Sequence, residues 1–221
     1  MKNSIIIPED AELANFREIR IGNIAPNTLY RSSHPIKQNK QEKAITILAA
    51  NARISSIINL CDTSSELNTK ALFAPWYNRL LKNNRIIAVG MDFDHTSDNF
   101  REKLKKCLQF IINSEGPWLI HCYAGIDRTG FVSMVLQSFM GASLNEIIDD
   151  YLESFGGVFE SSIYTESHKV DSQVVMKLLS AMDGSAVITD QNLQGIAENY
   201  LEKAIGLTTG ETAQLKEKLS G

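Results

Sequence analysis

Ten consecutive residues, His121-Cys122-Tyr123-Ala124-Gly125-Ile126-Asp127-Arg128-Thr129-Gly130, carry the chemistry most readable in this chain. They follow an apolar run ending at Ile120 and precede a nearly all-apolar helical pattern, so strand, tight loop and helix are expected in that order. Successive backbone N–H groups at a helix N-terminus form a nest for an anion, and the helix dipole adds about half a positive charge. The amides of Tyr123, Ala124, Gly125, Ile126, Asp127 and Arg128 are the expected phosphate cradle. Gly125 permits a turn that a side chain would obstruct, and the planar fork of Arg128 can bracket two oxygens of a phosphoryl group. Thiols at a helix N-terminus beside a cation are favoured as thiolates and are good nucleophiles, which makes Cys122 the expected nucleophile. Thr129, or Ser133 one turn later, is placed to donate to its sulfur. His121 reads as a supporting residue, bonded to backbone and holding the loop, and not as a base.

The elements that must position this loop follow from periodicity. Ile54 to Leu60, Arg85 to Val89 and Trp118 to Ile120 read as short buried strands separated by 3.6-periodic segments. That alternation predicts an α/β fold with a central, mostly parallel sheet flanked by helices. Between Asp98 and Ile112 the residues Phe100, Leu104, Cys107, Leu108 and Ile111 share one stripe, so Cys107 is expected in the core, and Asp98 is expected to cap the helix. Thr129 to Met140 leaves almost no polar face, as in a central buried helix. Gly141 ends it, and Ser143 with Glu146 forms a capping box for a helix running to about Phe155, broken by Gly156-Gly157. Residues 170–220 hold three helical patterns, the last opened by Thr208 with Glu211. One domain over residues 1–221 is expected, with a catalytic core to about residue 155. Extra C-terminal helices, about 165–221, are expected to pack on it or form a lid.

Composition narrows the classes of function. Of the 221 residues 43 % are hydrophobic and 22 % charged, as in soluble globular chains, so disorder and coiled coil are disfavoured. The net charge of −4 encodes no general attraction to nucleic acid or anionic lipid, so any anion must be gripped locally. No stretch reaches the ~20 apolar residues of a membrane span, and Ile5 to Ile7 are stopped by Pro8-Glu9-Asp10 before a signal peptide develops. Cys61, Cys107 and Cys122 are odd in number and widely spaced, so neither a disulfide framework nor a C-x-x-C zinc pair is expected. The expected setting is reducing and cytoplasmic, compatible with export of a mature or effector form.

The segment resembles the H-C-x5-R-[ST] pattern of the protein-tyrosine phosphatase superfamily. Its H-C-x-A-G-x-D-R-T-G form is similar to the bacterial tyrosine, dual-specificity and phosphoinositide phosphatase branch. Asn15-Phe16-Arg17 with Leu29-Tyr30-Arg31-Ser32 resembles that branch's opening, and Asp149-Asp150-Tyr151-Leu152, Tyr200 to Lys203 and Ile205-Gly206-Leu207 are similar to later segments. Two positions depart from it. Ile126 stands where relatives often carry a lysine associated with polyanionic headgroups, and Asn59-Leu60-Cys61 replaces a D-L-R segment that holds an ion pair. The resemblance implies attack by Cys122 on phosphorus, stabilisation by the nest and Arg128, and hydrolysis of a cysteinyl-phosphate without cofactor or metal.

A proton donor is then needed for the leaving oxygen. Asp94, in Val89-Gly90-Met91-Asp92-Phe93-Asp94-His95-Thr96, resembles the general acid of dual-specificity phosphatases, with Asp92 and Asp127 as alternatives. His95 reads as a substrate contact or an exposed loop residue. His34 and His168 have no evident partner, Arg31 reads as structural, and Lys37, Lys40 and Lys43 read as a solvated face. The expected activity is hydrolysis of phosphotyrosine, with phosphoserine and phosphothreonine as further substrates, in a phosphorylated protein or a small phosphomonoester. An inositol polyphosphate or phosphoinositide phosphatase, a phosphate-binding module without turnover, and a rhodanese-like sulfurtransferase are the alternatives.

Overall fold

The computed structural model describes residues 14–37, 40–155, 172–184 and 187–221. Five strands form one sheet: β1 (Arg17–Glu18), β2 (Leu29–Ser32), β3 (Ser56–Asn59), β4 (Ile86–Ala88) and β5 (Trp118–His121). Their order is β1-β2-β5-β3-β4, with β1 antiparallel to β2 and every other pair parallel. The α/β class and the mostly parallel sheet are as expected. The three anticipated strands are present, β3 and β4 being trimmed at both ends and β5 running one residue further. β1 and β2 join them from segments that the apolar pattern alone did not mark.

The central strand is β5, and its pleat sorts the molecule into layers. Trp118 and Ile120 face one side with Ile58 of β3, in the cluster built on Phe100, Leu104, Leu108, Phe131 and Val135. Leu119 faces the other with Ile57, Tyr30, Leu67 and Tyr77. Because side chains alternate with period two, His121 and Asn59, paired across β5 and β3, fall on the Tyr77 side. Cys122, at the strand end, joins the larger cluster.

Nine α-helices flank the sheet among the described residues: α1 (Lys40–Asn51), α2 (Ser64–Lys70), α3 (Pro75–Lys82), α4 (Asp98–Asn113), α5 (Asp127–Phe139), α6 (Leu144–Glu153), α7 (Ser172–Ser180), α8 (Leu193–Asn199) and α9 (Thr209–Ser220). A π-helical turn, Tyr200–Ala204, extends α8. The stripe on α4 is buried as predicted, with Cys107 1 % exposed. Its cap is Ser97, whose Oγ accepts from Phe100 N, and not Asp98, which lies inside the first turn. The boxes at Ser143/Glu146 and Thr208/Glu211 both form, and α6 ends at Glu153, two residues before the expected limit. A third box, Thr63/Glu66, opens α2. The C-terminal helices close the apolar side: Val175 and Leu179 of α7, Leu193 and Ala197 of α8, and Leu215 and Leu219 of α9 join the main cluster. Gly156-Gly157 and His168 lie outside the described residues. No helix among those described is long and apolar enough to cross a membrane.

Candidate active site

The loop between β5 and α5 is fastened by its carbonyls. Gly125 O accepts from Arg31 Nη2 at 2.9 Å and from Asn15 Nδ2 at 3.2 Å, and Asn15 Nδ2 also reaches Ala124 O at 3.4 Å. Tyr123 O accepts from His34 N at 3.1 Å. A trans peptide points its N–H opposite to its C=O, so carbonyls tied outward leave the loop amides facing the other way. Ile126, the N-cap of α5, makes no side-chain cap, and the first-turn N–H groups therefore remain available to an anion. Gly125 has φ +76°, and a Cβ there would stand 2.5 Å from Ser32 O and 2.7 Å from Ser33 N, backbone atoms that cannot yield. The turn and the close approach to β2 both require glycine.

Beneath the loop lies a charged hub. Arg31 is fully buried; its Nη1 meets Asp150 Oδ2 at 2.6 Å while Nη2 holds Gly125 O. Asp150 also receives Arg17 Nε at 2.9 Å and Gln137 Nε2 at 2.7 Å. Burial pushes the Asp150 carboxyl up, but the charges of Arg31 and Arg17 outweigh it and hold the group below its ordinary value. The expected structural role of Arg31 is thus specific: it transmits the anchorage of α6 to the loop.

On the other face of the sheet, His121 Nε2 is 2.9 Å from Tyr77 Oη, and its Nδ1 is 3.3 Å from Cys122 O. Burial drives the His121 pKa well below 6.5, so the ring is neutral. Asn59, at the first departure from the D-L-R pattern, bridges the Tyr77 hydroxyl at 3.1 Å and Asp62 Oδ2 at 2.9 Å. His34, which had no partner in the sequence reading, meets Asp62 Oδ2 at 2.8 Å. Lys70 pairs with the other oxygen of Asp62. Burial alone would raise the Asp62 carboxyl; hydrogen bonds from His34, Lys70 and Asn59 overcome it and hold the group well below the usual carboxylate range. Burial pushes the neighbouring Cys61 thiol up to about 12, with the charges of Asp62 and Cys122 adding to it. Donor atoms of His34, Cys61 and His121 lie within 4.8 Å of one another, the arrangement among the described residues nearest to a metal site. Each is already spent on Asp62, Asn59 or Tyr77.

Arg128 is 8 % exposed. Its Nη1 donates to Met91 O at 3.0 Å, its guanidinium carbon sits 4.3 Å from the Phe93 ring centroid, and its Nε has no partner among the described residues. The Met91–Asp94 segment is therefore docked on the arginine. Asp94 is fully exposed, with its carboxylate accepting from Thr96 N at 3.1 Å and Thr96 Oγ1 at 2.7 Å. The Thr96 side chain, with the backbone bond second, lowers its pKa. Asp92 accepts from Asn99 Nδ2 at 3.0 Å and Asp94 N at 3.2 Å, and so braces the segment. Asp127 is exposed at the start of α5.

Three expectations change. His95 is not an exposed loop residue: its ring stacks 4.3 Å from that of Phe131 and 5.0 Å from that of Phe100, anchoring the segment to α4 and α5. Burial lowers its pKa, while the charges of Asp127, Asp94 and Asp92 oppose this. Thr129 Oγ1 and Ser133 Oγ are buried without a hydrogen-bond partner among the described residues, so the expected donation to the Cys122 sulfur is not made. Lys37 leaves the expected solvated face. Its Nζ lies 3.1 Å from the Tyr123 ring centroid and 3.4 Å from Tyr123 O. Lys43 stays exposed. Tyr123 and Phe93, each 59 % exposed, are aromatic rings beside Cys122 and Arg128.

Residues 11–221 match the model of the tyrosine phosphatase family. No curated protein sequence matches the chain. Among solved structures, the chain is similar to the core catalytic domain of the PP-IP phosphatase SIW14 from S. cerevisiae in complex with citrate. The identity is 22 % and the TM-score 0.50, with 96 % of this chain and 98 % of that chain covered. A second structure of the Siw14 catalytic core matches at 21 % identity and a TM-score of 0.46, covering 90 % and 98 % of the two chains.

Proposed function

The chain belongs to the tyrosine phosphatase family and is a phosphoric monoester hydrolase, and from that premise we propose that it hydrolyses phosphotyrosine and related phosphomonoesters through a cysteinyl-phosphate on Cys122. The observation that carries this reading is the conjunction at one strand end. Cys122 opens a loop whose carbonyls are tied outward, and Arg128 is held at the same loop with its Nε unspent.

In the first step the Cys122 thiolate attacks phosphorus, the S–P bond forms and the P–O bond to the leaving group breaks in line. Charge on the three equatorial oxygens is met by the amides of residues 123–128 and by the fork of Arg128. Asp94 donates its proton to the departing oxygen; its support is its place on the segment docked against Arg128, with Asp92 bracing that segment and Asp127 as the alternative donor. In the second step water attacks the cysteinyl-phosphate, Asp94 takes the proton, and phosphate and the Cys122 thiolate are regenerated. Arg31 and His121 act as positioning residues, holding the loop at Gly125 O and Cys122 O. Phe93 and Tyr123 offer exposed rings to an aryl leaving group, which favours phosphotyrosine over phosphoserine.

The test is a hydrolysis panel of phosphotyrosine and phosphoserine peptides and p-nitrophenyl phosphate, with EDTA present, on wild type and Cys122→Ser. Turnover of the aryl substrates by wild type alone is expected. More than a few per cent of that rate in Cys122→Ser would sink the assignment.

A further inference from the structure

Beside the phosphate loop lies a groove of about 340 Å³ lined by His34, Ile36, Lys37, Lys70 and Tyr123. It shares Tyr123 with the loop, so it adjoins the residue that follows the nucleophile. The Lys37 ammonium rests on the Tyr123 ring and carbonyl, and no carboxylate pairs with it among the described residues. A cation on a ring face keeps most of its charge for a further partner.

Lys70 gives one of its three N–H donors to Asp62 and is 45 % exposed. Asp62 itself is 4 % exposed and its second oxygen is taken by His34 and Asn59, so the carboxylate is consumed below the groove. His34 Nδ1 accepts from Ile36 N at 3.2 Å, so the ring turns its Nε2 to Asp62. Two ammonium groups, +2, against one carboxylate, −1, leave the groove at +1 in a chain whose total is −4. That charge adds to Arg128 and to the α5 dipole at the same loop.

We propose that this groove is a second anion subsite, in which Lys37 and Lys70 hold a second phosphoryl group of a small polyol phosphate while the loop at Cys122 takes the first. The inference rests on the reading that the loop hydrolyses phosphomonoesters. The expected class is small because the groove lies at the low end of the ~300 to 1,000 Å³ of ligand pockets. It also shares Tyr123 with the phosphate loop, so the two phosphoryl groups are expected on one small molecule. The cations needed for a polyanion were not visible around Cys122 in the sequence, because Lys37 and Lys70 come from distant segments and Ile126 replaces the lysine of the loop itself.

The experiment compares kcat/KM for inositol hexakisphosphate with that for p-nitrophenyl phosphate in wild type, Lys37→Ala, Lys37→Glu and Lys37→Arg. The expected ratio falls about tenfold in Lys37→Ala, further in Lys37→Glu, and returns to within about twofold of wild type in Lys37→Arg, mainly through KM. Added salt lowers the wild-type ratio. An unchanged ratio in both Lys37→Ala and Lys37→Glu overturns the subsite. Lys37 dependence with a doubly phosphorylated tyrosine peptide and none with the inositol phosphate also overturns it.

A phosphoinositide in detergent micelles forms a second arm. The form hydrolysed with the higher Lys37-dependent kcat/KM, soluble or micellar, identifies a free polyphosphate or a lipid headgroup as the source. If wild type hydrolyses none of these substrates, the proposed function fails. Calorimetric binding of inositol hexakisphosphate to the same variants then tests the subsite alone: weaker binding by Lys37→Glu sustains it, and equal binding overturns it.

Discussion

Replacing Asp150 by Asn removes one charge and almost no volume from the hub beneath the phosphate loop. In wild type this carboxylate faces two guanidinium groups, Arg31 at 2.6 Å and Arg17 at 2.9 Å, with Arg31 fully buried. The amide leaves a buried cation without a countercharge and beside a second cation. Breaking a buried pair from one side costs about 3 to 5 kcal/mol, a large part of the ~5 to 15 kcal/mol that stabilises a typical domain. Urea unfolding near neutral pH should show that loss in Asp150→Asn. The pH dependence has a definite sign. Since the folded-state pKa of Asp150 is depressed, its contribution is full above the ordinary value of 3.8 and fades as pH falls through the lower folded value. The gap between wild type and variant should therefore be flat above about pH 5 and close only below that ordinary value. Pairing Asp150→Leu with Arg31→Met removes the buried pair, leaves Arg17 to Glu153 at 3.6 Å, and should recover at least half of the lost stability. It should not recover activity, because Gly125 O then lacks its Arg31 donor. A loss below about 1 kcal/mol in Asp150→Asn, or recovery of kcat/KM in the double variant, would refute the role given to this hub.

Other consequences follow from the same geometry. Gly125→Ala forces a Cβ into the Ser32–Ser33 backbone, and kcat/KM for p-nitrophenyl phosphate should drop by about 10² or more, the usual result of misplacing reacting groups by about 1 Å. Asp94→Asn should slow a poor alkyl leaving group by about 10² to 10⁴, slow an activated aryl phosphate far less, and abolish the alkaline limb of the kcat/KM profile. Loss of that limb in Asp127→Asn with an intact limb in Asp94→Asn would move the proton donor into the phosphate loop. Thr96→Ala removes the bond that lowers the Asp94 pKa, so the alkaline limb should move to higher pH; a profile that stays in place would argue against Asp94. His121 is kept neutral by burial, so the unfolded chain takes up a proton below pH 6.5 that the folded chain refuses, and stability falls as pH drops from there. His121→Asn should lessen that fall by up to about 1.4 kcal/mol per pH unit, measured by urea unfolding between about pH 6 and about pH 5.

The parts legible in the sequence were those written in one short stretch. His121 to Gly130 carries its strand end, anion nest, nucleophile and arginine contiguously, and the helices opened by Ser143/Glu146 and Thr208/Glu211 announce themselves within four residues. What was hidden depends on pairings across the chain. Asp150 meets Arg31 from 119 residues away, and His34 meets Asp62 from 28. Strand β1 has two residues, too few for a period to show. The Thr63/Glu66 box was local and readable, and it would have placed α2. Asp98 was misplaced by one residue because Ser97, equally able to cap, stands directly before it. The Phe131 and Phe100 rings that enclose His95 lie on two helices, so its burial could not be seen from its own loop.

The most direct test of the account is rapid acid quenching of wild type during turnover of p-nitrophenyl phosphate, followed by peptide mass analysis. One phosphoryl group is expected on the peptide containing Cys122, bound through sulfur, present during turnover and absent from Cys122→Ser. Steady turnover with no phosphoryl group on Cys122, or with one on another residue, would contradict it.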